Sequence, residues 1–322
     1  FGDYREELLL RTADSSAIRI YTSLEPSDHK LISLMQDIQY RCGVAWQNNC
    51  YNQPVYPSFY YAPDLDAEDI LPYMKRRPVL YLAGDSVSQS YQEDKRPQAG
   101  WGEYLLKYLC PEAVIQCFHR GDSPFLQERR YQCRNLEVDN CSMGGRSSKT
   151  FREEGRLEDI RAHLRPGDYL LIQFGHNDAC ASREERFVPE EKFGDSLGHY
   201  IRAAREAEAV PVLLTPVSTC IGKHDFSEEA EEVRGHLASY AAAMKRFADE
   251  NDIFLIDLFR KTEETQRRLG EEESCRLYIR DGIHLTQRGA RLYAAMAAEA
   301  LRERLMEEQG HRNIIHNLNR RI

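Results

Sequence analysis

From about residue 78 onward, the chain alternates short apolar runs with amphipathic stretches, and this rhythm limits the possible folds more than any other feature. The runs Val79–Ala83, Asn135–Asp139, Tyr169–Phe174, Val210–Thr215 and Ile253–Asp257 have the length and composition of strands. Between or after them, Gly100–Leu109, Gly155–Leu164, Pro189–Ala209, Ser227–Asn251 and Thr286–Glu308 read as helices. Such alternation, with strands rich in Val, Ile and Leu, is the signature of a parallel sheet covered on both faces. The expectation is an α/β domain, a three-layer α/β/α arrangement around a five-stranded parallel sheet.

Ligands of such sheets gather at the carboxyl ends of strands, where the crossover direction reverses. The first run stops at Gly84-Asp85-Ser86 and presents a serine hydroxyl at the mouth of a polar loop. The tripeptide alone is weak: a second one, Gly121 to Ser123, follows no strand, precedes Pro124 and reads as a turn. A serine becomes a nucleophile only where a base takes its proton, most often a histidine held by a carboxylate. The stretch "YIRDGIHLTQRGA" offers that pair, Asp281 and His284, just before the last helix. Their spacing lets the carboxylate hold Nδ1 while Nε2 faces the serine. Thr286 is also a natural helix N-cap, the structural purpose of the same stretch.

Two further loops could stabilise a developing oxyanion. "LLIQFGHNDACAS" ends a strand in Gly175-His176-Asn177-Asp178, and the Asn177 amide is a suitable donor, although Asn-Asp is also an ordinary turn pair. "VDNCSMGGRSSKTFREEGR" carries Gly144-Gly145, where the backbone can approach a ligand and aim its N–H inward; a flexible loop is the other reading. Trp101 either stacks on a sugar ring or starts a buried helix, and His176 either lines the pocket or braces its loop.

The four blocks in this order resemble the SGNH (GDSL) hydrolase superfamily, named for its Ser, Gly, Asn and His. "GDS" followed by "PQAGWGEYL", then "GGRSSKTFREEGR", "IQFGHND" and "DGIHLTQRGA", is similar to its rhamnogalacturonan acetylesterase branch. The likeness spans about residues 78–305. It implies a flavodoxin-like sheet and the removal of acetyl groups from plant cell-wall carbohydrate, with no cofactor and no metal. Carried over, it makes Ser86 the nucleophile, His284 the base and Asp281 its partner. The oxyanion donors are then the backbone N–H of Ser86 and Gly145 and the amide of Asn177. Val87 departs from the branch, which usually has Thr there. Within the superfamily a lipid esterase or acyl-thioesterase is the rival reading, and an inactive carbohydrate-binding protein is the rival outside it. Polar flanks at Gln89, Ser90, Gln92, Glu93, Asp94, Lys95 and Arg96 favour a hydrated sugar over an acyl chain.

A formal net charge of -9, with Arg and Lys scattered among Glu, argues against a nucleic-acid surface. No apolar run reaches the ~20 residues that span a bilayer, so no membrane partner is expected. The 9 cysteines contain no Cys-x-x-Cys pair, which disfavours zinc. Read as reduced and mostly buried, they favour a cytoplasmic location over secretion; Phe1 leaves a removed leader open. Residues 1–77 lack the βα rhythm and read as an appendage, with a strand at Ala17–Ser23 and a helix at His29–Cys42. Tyr51, Tyr56, Tyr60 and Tyr61 there form either a sugar platform or anchors for a long loop. Residues 78–308 form the hydrolase domain, with 110–134 as a loop insertion, and 309–322 a mildly basic tail that docks on the body or a second subunit, or stays loose.

Overall fold

The computed structural model describes residues 8–22, 33–47, 55–58, 77–121, 123–133, 136–223 and 226–302. It divides the chain into two units, Phe1–Arg76 and Arg77–Ile322. In the first, β1 (Leu8–Arg11) and β2 (Ile18–Tyr21) pair as an antiparallel hairpin. The Asp14 carboxylate closes the turn by accepting from the N–H and hydroxyl of Ser16. Helix α1 (Ile38–Trp46) starts at Asp37, whose carboxylate accepts from the Tyr40 N–H at 2.9 Å and from Ser58. The helix therefore runs later than expected, and β1 was not foreseen. Tyr56 is exposed; Tyr51, Tyr60 and Tyr61, like the tail at 309–322, lie outside the described residues.

The second unit is built on β3 (Val79–Gly84), β4 (Gln116–Phe118), β5 (Arg129–Gln132), β6 (Glu137–Asn140), β7 (Tyr169–Gln173), β8 (Val210–Leu214) and β9 (Leu255–Ile256). These form one seven-stranded sheet in the order β4-β5-β6-β3-β7-β8-β9. β6, β3, β7, β8 and β9 are mutually parallel and make the expected core, in flavodoxin-like order. The edge corrects the sequence reading: the segment taken as a loop insertion contributes β4 and β5, an antiparallel pair added to β6. Its strands read Gln-Cys-Phe and Arg-Arg-Tyr-Gln and are exposed or half-buried, so backbone pairing rather than apolar alternation holds them.

Side chains of β3 alternate between two apolar layers. Leu80 and Leu82 pack with Trp101, Leu105, Val212 and Tyr293; Val79, Tyr81 and Ala83 pack with Phe151, Ile160, Phe193 and Met244. The first layer is closed by α2 (Leu105–Leu109) and the last helix. The second is closed by α3 (Ser148–Glu153), α4 (Arg156–His163), α5 (Glu190–Glu206) and α6 (Glu228–Glu250). Each large apolar side chain withdrawn from water here contributes about 1.5–3 kcal/mol. Three helices of this unit lie beyond the expected set: α3, in the stretch read as a possible flexible loop, and α7 (Leu258–Leu269) and α8 (Glu271–Cys275), which precede α9, helical over 287–302. No helix among the described residues is long and apolar enough to cross a membrane.

The chain leaves β3, forms β6 on one side and then β7 on the other. Loops after three adjacent parallel strands thus diverge around one crevice, the place such sheets reserve for ligands.

Candidate active site

The crevice is organised from β3 outward. Asp85 makes the turn: Oδ1 accepts from the Val87 N–H at 3.0 Å, and its carbonyl from the Ser88 and Gln89 N–H groups at 3.3 and 3.1 Å. Ser86 stands at the apex. The Tyr91 hydroxyl donates to the Ser86 carbonyl at 2.9 Å. Burial, reinforced by the carboxylates of Asp85, Glu103 and Asp281, pushes that phenol well above its usual pKa, so it remains a neutral donor.

The histidine arrives from the opposite end of the chain. A bridge between Tyr278 and Leu285, with the Ile279 N–H donating to the His284 carbonyl at 2.8 Å, closes a short loop ahead of α9. Thr286 accepts from the Gly289 N–H at 3.3 Å at the start of that helix. Within the loop, Asp281 Oδ1 accepts from the N–H groups of Ile283 and His284, both at 2.9 Å. Its Oδ2 lies 2.6 Å from His284 Nδ1, and His284 Nε2 lies 2.9 Å from Ser86 Oγ. Burial by itself raises the Asp281 pKa, but the hydrogen bond and charge of His284 and the two N–H groups outweigh it and hold the carboxyl below its usual range. Asp281 is therefore a carboxylate, bonded to the imidazole nitrogen that faces away from the serine.

The loops after β6 and β7 complete the crevice. Gly145 sits at φ +76°, a left-handed conformation that glycine adopts without strain. A Cβ on Gly144 would come within 3.3 Å of Ser86 Cβ and 3.1 Å of Gln89 Oε1, a tight fit that favours glycine where this loop lies against the serine. Gln89 Oε1 fixes it by accepting from the Gly144 N–H at 2.5 Å. Asn177 Nδ2 donates to the Arg146 carbonyl at 3.0 Å, tying the end of β7 to the same loop. The N–H groups of Ser86 and Gly145 make no hydrogen bond among the described residues. Asp178 anchors the turn below, accepting from the Ser148 N–H and hydroxyl and the Gly175 N–H. Burial pushes its carboxyl up to about 7.

Two expected substrate contacts are corrected. Trp101 is 0% exposed in the core, and its Nε1–H donates to Gln173 Oε1 at 2.7 Å, so no ring face is left for a sugar. His176 is 4% exposed and braces its loop instead of lining a pocket: Nδ1 lies 3.2 Å from Asp85 Oδ2, and Nε2 lies 3.0 Å from the Val217 carbonyl. Both ring nitrogens thus face acceptor oxygens, and a neutral imidazole has only one N–H.

Sequence reasoning also passed over Tyr91 and Arg186. Tyr91 stood in the polar loop after the serine, without a periodic signal. Arg186 Nη1 lies 3.8 Å from the position of a Cβ on Gly145, while Nη2 is paired with Glu229. Nothing local in "SREERFV" separates it from other loop arginines. Among the described residues, no three His, Cys, Asp or Glu side chains are grouped as a metal ion would need.

Residues 80–297 match the GDSL-like lipase/acylhydrolase family. The chain belongs to that family. As a GDSL hydrolase it is 36% identical to the Bacillus subtilis protein named "Probable rhamnogalacturonan acetylesterase YesY", over 70% of this chain and 92% of that one. It is 33% identical to rhamnogalacturonan acetylesterase RhgT of the same organism, over 71% of this chain and 92% of RhgT. The solved structure of B. subtilis YxiM superimposes with a TM-score of 0.55 at 26% identity, over 72% of this chain and 58% of that chain. The first unit has a different relation. Residues 1–70 match the C-terminal domain of rhamnogalacturonan lyase family 11. Rhamnogalacturonan endolyase YesW of B. subtilis is 58% identical over 59 residues, 18% of this chain but 10% of YesW.

Proposed function

We propose that this GDSL hydrolase is a carbohydrate O-acetylesterase acting on rhamnogalacturonan-type polysaccharide through an acetyl-serine intermediate. The observation that carries the reading is the continuous hydrogen-bond chain Asp281–His284–Ser86, with the backbone N–H groups of Ser86 and Gly145 unpaired among the described residues. Ser86 Oγ attacks the acetyl carbonyl carbon as its proton passes to His284 Nε2. The carbonyl electron pair moves onto oxygen, where the N–H groups of Ser86 and Gly145 and the Asn177 amide receive the charge. Asp281 stabilises the imidazolium that forms. When the intermediate collapses, the sugar oxygen leaves with the proton from Nε2. Water then attacks the acetyl-serine, gives its proton to Nε2, and Oγ recovers it as acetate departs.

The relatives YesY and RhgT support the substrate class. So does Arg186, a cation beside the Gly145 loop in reach of a uronate-bearing polymer. The polar surroundings of Ser86, including Gln89, Asn177 and Tyr91, suit an acetyl group on a hydrated sugar better than a long acyl chain.

The test is acetate release from acetylated rhamnogalacturonan fragments, compared with acetyl and octanoyl esters of p-nitrophenol, for the wild type and Ser86→Ala. The expected result is preference for acetyl esters and loss of all turnover in the variant. Turnover in Ser86→Ala, or a marked preference for octanoate, overturns the reading.

A further inference from the structure

The hairpin of the first unit is largely apolar on both of its faces. Register pairs Leu8 with Tyr21, Leu9 with Ile20, Leu10 with Arg19 and Arg11 with Ile18. Directly opposed residues share a face. One face therefore carries Leu8, Tyr21 and Leu10 with Arg19 at its end, and the other carries Leu9, Ile20 and Ile18 with Arg11 at its end. A hairpin with one solvated side alternates apolar and polar residues; strands apolar on both sides are those covered on both. These six side chains are 47% to 67% exposed. A two-stranded hairpin is marginal by itself in water and gains stability from further strands or from packing. The kind of body that would cover it is suggested by residues 1–70, which match the C-terminal domain of rhamnogalacturonan lyase family 11, and by a YesW likeness confined to 10% of that enzyme.

We propose that β1 and β2 are an inner strand pair of a rhamnogalacturonan-lyase fold and seat on the body of a family 11 lyase, coupling polymer cleavage physically to deacetylation. The first unit supplies the closing piece of the lyase, and the second unit is the esterase it carries. The lyase site belongs to that body, and Ser86 plays no part in it.

The experiment is a chimera in which YesW, up to its stretch matching this chain, is joined to the full 322-residue chain. Elimination in a uronate polymer breaks the C4–O bond as the C5 proton leaves, and the resulting C4=C5 double bond is followed by ultraviolet absorbance. Acetate release is measured on the same sample. The proposal expects elimination at a rate comparable with that of YesW, together with esterase activity. Leu9→Asp/Ile20→Asp in the chimera forces carboxylates into an apolar contact and is expected to lower elimination at least about tenfold, with acetate release unchanged. A chimera that releases acetate without elimination, or that does not accumulate as soluble protein, overturns the proposal, as does a double variant with full elimination. The same double variant in the 322-residue chain alone is expected to keep its esterase rate; a loss there would mean that the hairpin covers the esterase unit instead, and would also overturn it. Failure of the acetylesterase reading appears only in the acetate signal.

Discussion

Ser86 Oγ and His284 Nε2, 198 positions apart in the chain, stand 2.9 Å from one another at the crevice where β6, β3 and β7 end. One partner is fixed by the Asp85 turn and the other by the loop ahead of α9, so two rigid elements set the distance. Such pre-organisation is what a nucleophile and its base need, because fine alignment is gained before the substrate arrives.

Asn177→Ala removes one proposed oxyanion donor and the bond to the Arg146 carbonyl. Turnover of p-nitrophenyl acetate is expected to fall by roughly 10²- to 10³-fold with little change in KM. Steady-state kinetics decide it, and an unchanged kcat would remove Asn177 from the charge-stabilising set.

Trp101→Phe keeps an aromatic ring in the core but leaves Gln173 Oε1 without its 2.7 Å donor. The unfolding free energy should drop by about 1–3 kcal/mol. KM for acetylated oligosaccharide should stay the same, since the ring never meets solvent. A raised KM with unaltered stability would restore the sugar-stacking role.

The third prediction concerns pH. Arg120 and Arg130 are surrounded by Asp139, Asp159 and Glu128, so the carboxylates outnumber the guanidinium groups. Glu128 takes the surplus: burial, with the charges of Asp139 and Asp159, outweighs the help of Ser123 and Arg120 and pushes its carboxyl up to about 7 from 4.5. A folded-state pKa above the unfolded value means that this stability is fully present below 4.5 and is lost as pH rises through about 7. Glu128→Gln should therefore gain up to about 3 kcal/mol on the wild type on the alkaline side and flatten the profile. Urea unfolding at stepped pH measures this; parallel profiles for the two proteins would contradict it.

Arg186→Gln tests the cation beside Gly145. Loss of a charge-assisted contact should raise KM for acetylated rhamnogalacturonan oligosaccharide by roughly ten- to a hundredfold and leave p-nitrophenyl acetate hydrolysis untouched. Equal effects on both substrates would place Arg186 in the architecture of the loop and not in recognition of the polymer.

Elements whose apolar content follows a clear period were legible from residues alone, as β3, β7 and the amphipathic α5 show. Helix α7 was missed because its inner face is largely polar: Thr262, Thr265 and Gln266 are buried with Leu258, and Gln266 Nε2 bonds to Ser218, the Thr219 carbonyl and Tyr278. A hydrogen-bonded interior leaves few apolar residues to mark the buried face, even though the charged residues are segregated to the other side. The strands β4 and β5 were hidden for a related reason, since an edge pair rests on backbone bonds that any side chain permits.

The sequence by itself determined which chemical groups stand at strand ends, because a strand's apolar run and the glycine, serine, asparagine or histidine that stops it are local features. Tertiary structure decided which of those groups meet. It brought Ser86, Gly145, Asn177 and His284 around one crevice, and it turned Trp101 and His176 inward. Burial and partnership belong to the packed whole: whether a ring faces a sugar or a glutamine depends on side chains distant in the chain, and no window of residues contains them.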